Sequence, residues 1–148
     1  MFNIRLALPC DVKDVFELSN DKDVRKNSIN KEFISWENHV VWFENKISSP
    51  DVKFYIIEVR DKFAGYLRLD KHNDKSYWLI TIHLKKEYRS MGFGYNTIQE
   101  IIKNGNIMLI SYVNKNNIVS SRMFEKLGFN MTGTKKINNE EYYIYKRG

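Results

Sequence analysis

Arg89-Ser90-Met91-Gly92-Phe93-Gly94 places an Arg-x-x-Gly-x-Gly pattern between an apolar stretch and a helical one. The chemistry open to such a loop is anion binding. Several backbone N–H groups can converge on one phosphate, and the positive end of the following helix dipole adds to them. Glycine at two positions keeps side chains from holding the anion away from the backbone. Further along, Asn117-Ile118-Val119-Ser120 opens another helical stretch, and Phe124-Glu125-Lys126-Leu127-Gly128-Phe129 closes it. Asn117 has the right type for a helix N-cap and carries an amide that can also hold a ligand.

The elements that must position these residues follow from periodicity and punctuation. Residues 2–6 alternate as a strand, with their pairing partner left open. A short helix over 11–18, just after Pro9, turns Val12, Val15, Phe16 and Leu18 inward. The polar stretch 19–31 is a long connection or a broken helix. Ser35 caps a second helix, with Glu37 and Asn38 in its first turn and Val40, Trp42, Phe43 and Ile47 toward the core. Residues 53–60 and 63–70 form a hairpin about Asp61-Lys62, and 77–84 is a strand that runs into the glycine loop. A helix over 92–103 stops at Asn104-Gly105, and 106–113 is a strand. A helix over 118–127 is closed by Gly128, and 129–136 pairs with 141–146 around Asn138-Asn139. The order β-α-α-β-β-β-α-β-α-β-β implies an α+β fold: one domain over 1–148, its sheet mixed and mostly antiparallel, with helices on both faces.

Bulk properties narrow the class. At 148 residues, 43% hydrophobic and 14% aromatic, the chain can bury a core. Its net charge of +6 is spread among acidic and amide neighbours without a basic block, which speaks for anionic small molecules and against nucleic acid. Cys10, the one cysteine, rules out an internal disulfide and any multi-cysteine metal site, and it reads as a small residue near a helix start. No apolar run reaches the roughly 20 residues of a membrane span, and no signal peptide is evident. A cytoplasmic protein, monomeric or a homodimer and without a metal, is expected.

The glycine loop, followed in this order by Asn117-x-x-Ser120 and Lys126-Leu127-Gly128-Phe129, resembles the GNAT superfamily of acetyl-coenzyme A-dependent N-acetyltransferases across essentially the whole chain. The resemblance implies acetyl-coenzyme A as co-substrate. Backbone N–H groups of Met91, Gly92, Phe93, Gly94 and Tyr95 would hold its pyrophosphate, with Arg89 and Ser90 shaping the turn. Ile82 and Leu84 would offer backbone groups to the pantetheine and the acetyl carbonyl, and Asn117 and Ser120 would hold the pantetheine arm. The chain departs from the family pattern in three places. Phe124 stands where many relatives carry a thiolate-protonating tyrosine, Trp78 where several carry a glutamate base, and the helix after the loop is about two turns short. By type and position, His83 and Tyr112 become the catalytic candidates, with His39 and Tyr66 as further options and His72 as an exposed turn residue.

The first third of the chain, residues 19–28 with Phe33-Ile34-Ser35, His39 and Trp42-Phe43, resembles the branch that acetylates nucleotide-linked aminosugars, of the pseudaminic-acid pathway type. It also shares features with RimJ/RimI-like amino-terminal acetyltransferases. On this resemblance Arg25, Asn27, Ser28, Asn30 and His39 are acceptor-side candidates, with Arg25 able to grip a diphosphate. The expected function is acetylation of a primary amine on a nucleotide-linked sugar. The alternatives are acetylation of a protein amino-terminus or small amine, and an acyl-coenzyme A-binding domain without catalysis.

Overall fold

The computed structural model describes residues 1–73 and 76–148. The chain runs β1 (Phe2–Leu6), α1 (Val12–Ser19), α2 (Lys22–Asn27), α3 (Trp36–Ser48), β2 (Val52–Val59), β3 (Lys62–Lys71), β4 (Trp78–Leu84), α4 (Phe93–Lys103), β5 (Leu109–Asn114), α5 (Ile118–Lys126), β6 (Asn130–Ile137) and β7 (Glu140–Arg147). The strands form one sheet in the order β1-β2-β3-β4-β5-β7-β6. β1 pairs antiparallel with β2, which settles the partner that its sequence leaves open.

Each boundary has a local cause. Arg60 and Asp61, at φ of 52° and 64°, make the β2–β3 turn, and Asn138 and Asn139, at 50° and 66°, make the β6–β7 turn. Two consecutive left-handed residues match the right-handed twist of the flanking strands, so these hairpins close tightly without an Asp-Gly pair. The polar stretch 19–31 contains α2, whose N-cap Asp21 accepts from the N–H groups of Asp23 and Val24. Ser35 caps α3 through the N–H of Asn38. Gly128, at φ of 86°, ends α5.

Side chains of a strand alternate between faces, and the two faces carry separate cores. On one, Ile57, Leu67, Leu69, Ile80 and Leu109 pack beneath Ile98 of α4 and Phe124 of α5. On the other, Phe54, Ile56 and Tyr66 pack against Val15, Leu18, Val24 and Phe43 of α1, α2 and α3. Helices therefore cover both faces, as the alternation of elements predicts.

All strand pairs are antiparallel but one. β4 and β5 run parallel and pair only at Trp78–Leu109 and Leu79–Ile110. Beyond these, β4 stays with β3 as far as Leu84, and β5 stays with β7 as far as Asn114. The two strands separate as a V, and their facing backbone edges have no strand partner among the described residues.

Candidate active site

The loop from Leu84 to α4 stands at the open end of the V. Arg89 is extended, Ser90 has φ of 62° and Gly92 has φ of 85°, so the chain turns sharply twice just before α4. Gly92 is the N-cap of α4 and provides no side-chain cap, and the first intrahelical bond runs from the Asn96 N–H to the Gly92 carbonyl at 2.9 Å. The N–H groups of Phe93, Gly94 and Tyr95 thus have no intrahelical partner and form the positive end of the helix dipole. Met91 is exposed in the same loop. These groups can seat a pyrophosphate. The two glycines serve different ends. A Cβ at Gly92 would meet only the Asn96 amide, at 3.9 Å, so its backbone angle is what demands glycine. A Cβ at Gly94 would press to 3.3 Å from Met123 Sδ and contact Leu84 and Ile82, so that glycine lets α4 lie close on α5 and β4.

Arg89 does more than shape the turn. Its Nε donates to the Leu84 carbonyl at 2.9 Å, and its terminal nitrogens donate to Asp23 at 2.9 Å and Asp21 at 3.0 Å. Burial alone would raise the Asp21 carboxyl, but Arg89 and the α2 N–H groups hold it below the usual range. From α2, Arg25 donates to the carbonyls of Ser19 and Asn30, both at 2.7 Å, and of Glu32, and to Ser28 Oγ. Ser28 Oγ donates in turn to the Val24 carbonyl. Lys31 then pairs with Glu140 at 2.8 Å, and Glu140 accepts from Asn114 Nδ2 at 2.8 Å, at the end of β5. Residues 21–34 thus form a roof pinned to β4 by Arg89 and to the end of β5 by Lys31. The sequence points to Arg25, Ser28 and Asn30 as substrate contacts; in the structure these three build the roof. Asn27 is exposed at the end of α2.

His39 does not join them. It is 1% exposed, its Nε2–H donates to the Val12 carbonyl at 2.9 Å, and its ring lies among Phe16, Trp36, Trp42 and Phe43. Burial lowers its pKa, so it is a neutral core residue of the α1–α3 layer.

His83 lies near the end of β4 on the roofed face, edge-on to Tyr66 at 5.4 Å between ring centres. Burial, then the charges of Arg68, Arg25 and Arg89, lower its pKa to about 3, with Asp21 opposing them. It is a neutral imidazole at physiological pH, suited to hydrogen bonding but a weak proton acceptor. Tyr66 is buried, with its hydroxyl 2.9 Å from Ser19 Oγ. Tyr112, on β5, has its hydroxyl 2.6 Å from His72 Nε2, and burial raises its pKa. His72 therefore has a structural partner that its place in a polar turn does not reveal. Asn117 caps α5, its Oδ1 accepting from the Ser120 N–H at 3.3 Å. Its Nδ2 makes no hydrogen bond among the described residues and stays available. Among those residues no group of three His, Cys, Asp or Glu side chains is placed to hold a metal.

The model of the acetyltransferase (GNAT) family matches residues 14–129. The chain belongs to the acetyltransferase (GNAT) family. No curated protein matches its sequence significantly. Solved structures that share the fold include yncA of Salmonella typhimurium with its cofactor acetyl-coenzyme A, at TM-score 0.82 and 15% identity, covering 99% of this chain and 93% of that one. A ribosomal-protein-alanine N-acetyltransferase of Brucella melitensis aligns at TM-score 0.83 and 18% identity, covering 98% of both chains. Spermidine N-acetyltransferase of Vibrio cholerae, with coenzyme A and spermine, aligns at TM-score 0.84 and 15% identity, covering 98% of this chain and 92% of that one.

In this GNAT acetyltransferase Phe124 and Trp78 stand where the sequence resemblance leads to an expectation of proton-moving side chains. Phe124 is 3% exposed and packs on Phe129 at 4.9 Å and Tyr145 at 6.2 Å between ring centres, deep in the core beneath α5. Trp78 lies at the far end of β4 on the α4–α5 face, beside Lys53 and Lys71. Neither side chain can move a proton. Sequence reasoning missed Asp21, Asp23, Lys31 and Glu140. Only the Asp21 N-cap leaves a local signal; the partners of the others lie far away in the chain.

Proposed function

We propose that this GNAT acetyltransferase transfers the acetyl group of acetyl-coenzyme A to a primary amine, and that the amine belongs to a nucleotide-linked aminosugar in the cytoplasm. The open V of β4 and β5 beside the uncapped start of α4 carries the reading. One offers unpaired strand edge to an amide-rich pantetheine, the other free N–H groups to a pyrophosphate. The neutral amine attacks the thioester carbonyl, an N–C bond forms, the C–S bond breaks and coenzyme A leaves as thiolate. The amine's proton passes to water or to the thiolate, since His83 is too weak a base to store it. Holding the two reactants together supplies most of the acceleration, and backbone N–H groups near Leu84 polarise the carbonyl. Tyr112 and the free amide of Asn117 are the side chains best suited to orient the thioester.

The charges around His83 support an acceptor that carries its own anion. Arg89 is offset by Asp21 and Asp23, and Arg68 shares Asp70 with Lys46. Arg25 has no carboxylate partner among the described residues and its hydrogen bonds go to carbonyls and Ser28. That uncompensated cation repels a polyamine and attracts a nucleoside diphosphate, while it lowers the pKa of an arriving ammonium. The test is thiol release from acetyl-coenzyme A with a UDP-4-amino-4,6-dideoxy sugar, amino-terminal peptides and spermidine. Release with the nucleotide-sugar at a kcat/KM at least tenfold above the others is expected. Preference for spermidine would overturn the acceptor assignment.

A further inference from the structure

A cleft of about 660 Å³ lies at the opposite end of β4 from the cofactor loop. Its floor is sheet, with Tyr55, Leu69 and Trp78 side by side, and Glu100 and Asn104 of α4 line its wall. It exists because α4 stops at Lys103. Eleven helical residues span roughly 16 Å, too short to cover the ends of β2, β3 and β4. Two ammonium groups stand over this floor: Lys53 Nζ is 5.1 Å and Lys71 Nζ 5.7 Å from the centre of the Trp78 ring. Among the described residues neither pairs with a carboxylate. Burial raises the pKa of the Tyr55 phenol, so its hydroxyl remains a donor. The volume lies within the range of small-molecule sites, which are lined mainly by apolar and aromatic side chains with a few placed polar groups.

We propose that this cleft is a second binding site, separate from the cofactor and acceptor sites, for a planar aromatic compound bearing one carboxylate or sulfonate. The ring lies against Trp78 and Tyr55, and the anion is drawn between Lys53 and Lys71, whose ammoniums exchange an exposed cation–π contact for charge-assisted hydrogen bonds. Glu100 sits across the cleft, where it disfavours an anion and accepts from a ring N–H or O–H, and so fixes the orientation. The probe is 1-anilinonaphthalene-8-sulfonate, titrated by fluorescence into the full-length protein with coenzyme A in excess to fill any site at the glycine loop. One saturable site is expected, weakened at least tenfold by the double reversal Lys53→Glu/Lys71→Glu and left unchanged by Lys13→Glu on exposed α1. Both reversals fall on side chains outside the core, so circular dichroism of the variant should match the wild type. Absence of saturable binding under coenzyme A, or equal binding by the reversed protein, would overturn the proposal.

Discussion

The glycine loop and the roof of residues 21–34 meet at the Arg89 ion pairs and are built on opposite plans. The loop uses backbone: three N–H groups in the first turn of α4, left without an intrahelical partner or a side-chain cap, behind a loop in which Ser90 and Gly92 hold positive φ. The roof uses side chains, with Arg25, Arg89 and Lys31 tying residues 21–34 to carbonyls and carboxylates. A backbone site depends on chain conformation, so it is insensitive to most side-chain changes and intolerant of a few. A roof of ion pairs has many small terms, each partly screened by water. On the proposed function, the difference fits the two ligands: a cofactor common to a family against an acceptor particular to one member.

The largest break in this contrast comes at Gly92. Valine there must either hold a φ near 85° or move the loop, so Gly92→Val should weaken coenzyme A binding at least a hundredfold while the fold is retained. Isothermal titration beside circular dichroism checks it, and unchanged affinity would remove the loop from the cofactor site. Gly94→Val should fail differently. Its new methyls enter the α4–α5–β4 contact, and about 1–3 kcal/mol of stability is lost along with affinity.

That contrast also explains what could be read from the chain. A backbone site leaves a local record, because glycine spacing and a helix start lie within six residues, and the element order followed from similar local signals except for α2, which the polar stretch 19–31 left open as a connection or broken helix. The roof left almost none. Arg89 meets Asp23 across 66 positions and Lys31 meets Glu140 across more than a hundred, and charge at the surface carries no periodicity to betray its partner. His39 misled for a related reason: a histidine on a helix beside Trp42-Phe43 reads alike whether its ring faces a ligand or the Val12 carbonyl.

Phe124 tests whether family chemistry can be restored by sequence alone. Its ring is enclosed by Phe129 and Tyr145, so Phe124→Tyr adds a hydroxyl to a packed core. A cost of about 1–3 kcal/mol and no gain in turnover are expected, read from the shift in Tm and from kcat. A faster enzyme of unchanged stability would mean that α5 has a path to the thiolate.

On the roof, Arg25→Ala removes the donors that fold residues 28–32 back onto α2. The acceptor KM should rise about tenfold with little change in coenzyme A affinity, the reverse of the Gly92 result, because the Asn30 and Glu32 carbonyls that lose a donor lie where water can still reach them. Lys31→Glu opposes Glu140 with a like charge at the far pin. Both partners are substantially exposed, so the effect should be no more than about threefold in KM and should fade in high salt.

The smallest predicted effect separates the two uses of His83, as base or as neutral partner. Folded His83 is neutral down to about pH 3, whereas in the unfolded chain it takes up a proton near 6.5. The unfolded state therefore binds the extra proton, and stability present above pH 6.5 is lost as pH falls toward 3. His39 contributes with the same sign. Most carboxylates stay ionised between pH 7 and 5, so the histidines dominate that interval. His83→Asn should lessen the fall in Tm between pH 7 and pH 5 by a few degrees, corresponding to about 1–2 kcal/mol once the partly open ring is allowed for. In the wild type the pH–rate profile should show no inflection from this histidine between pH 5 and 8, so any rise belongs to deprotonation of the acceptor amine. An inflection that His83→Asn abolishes would make the ring a working base and would require its three guanidinium neighbours to move when the amine arrives.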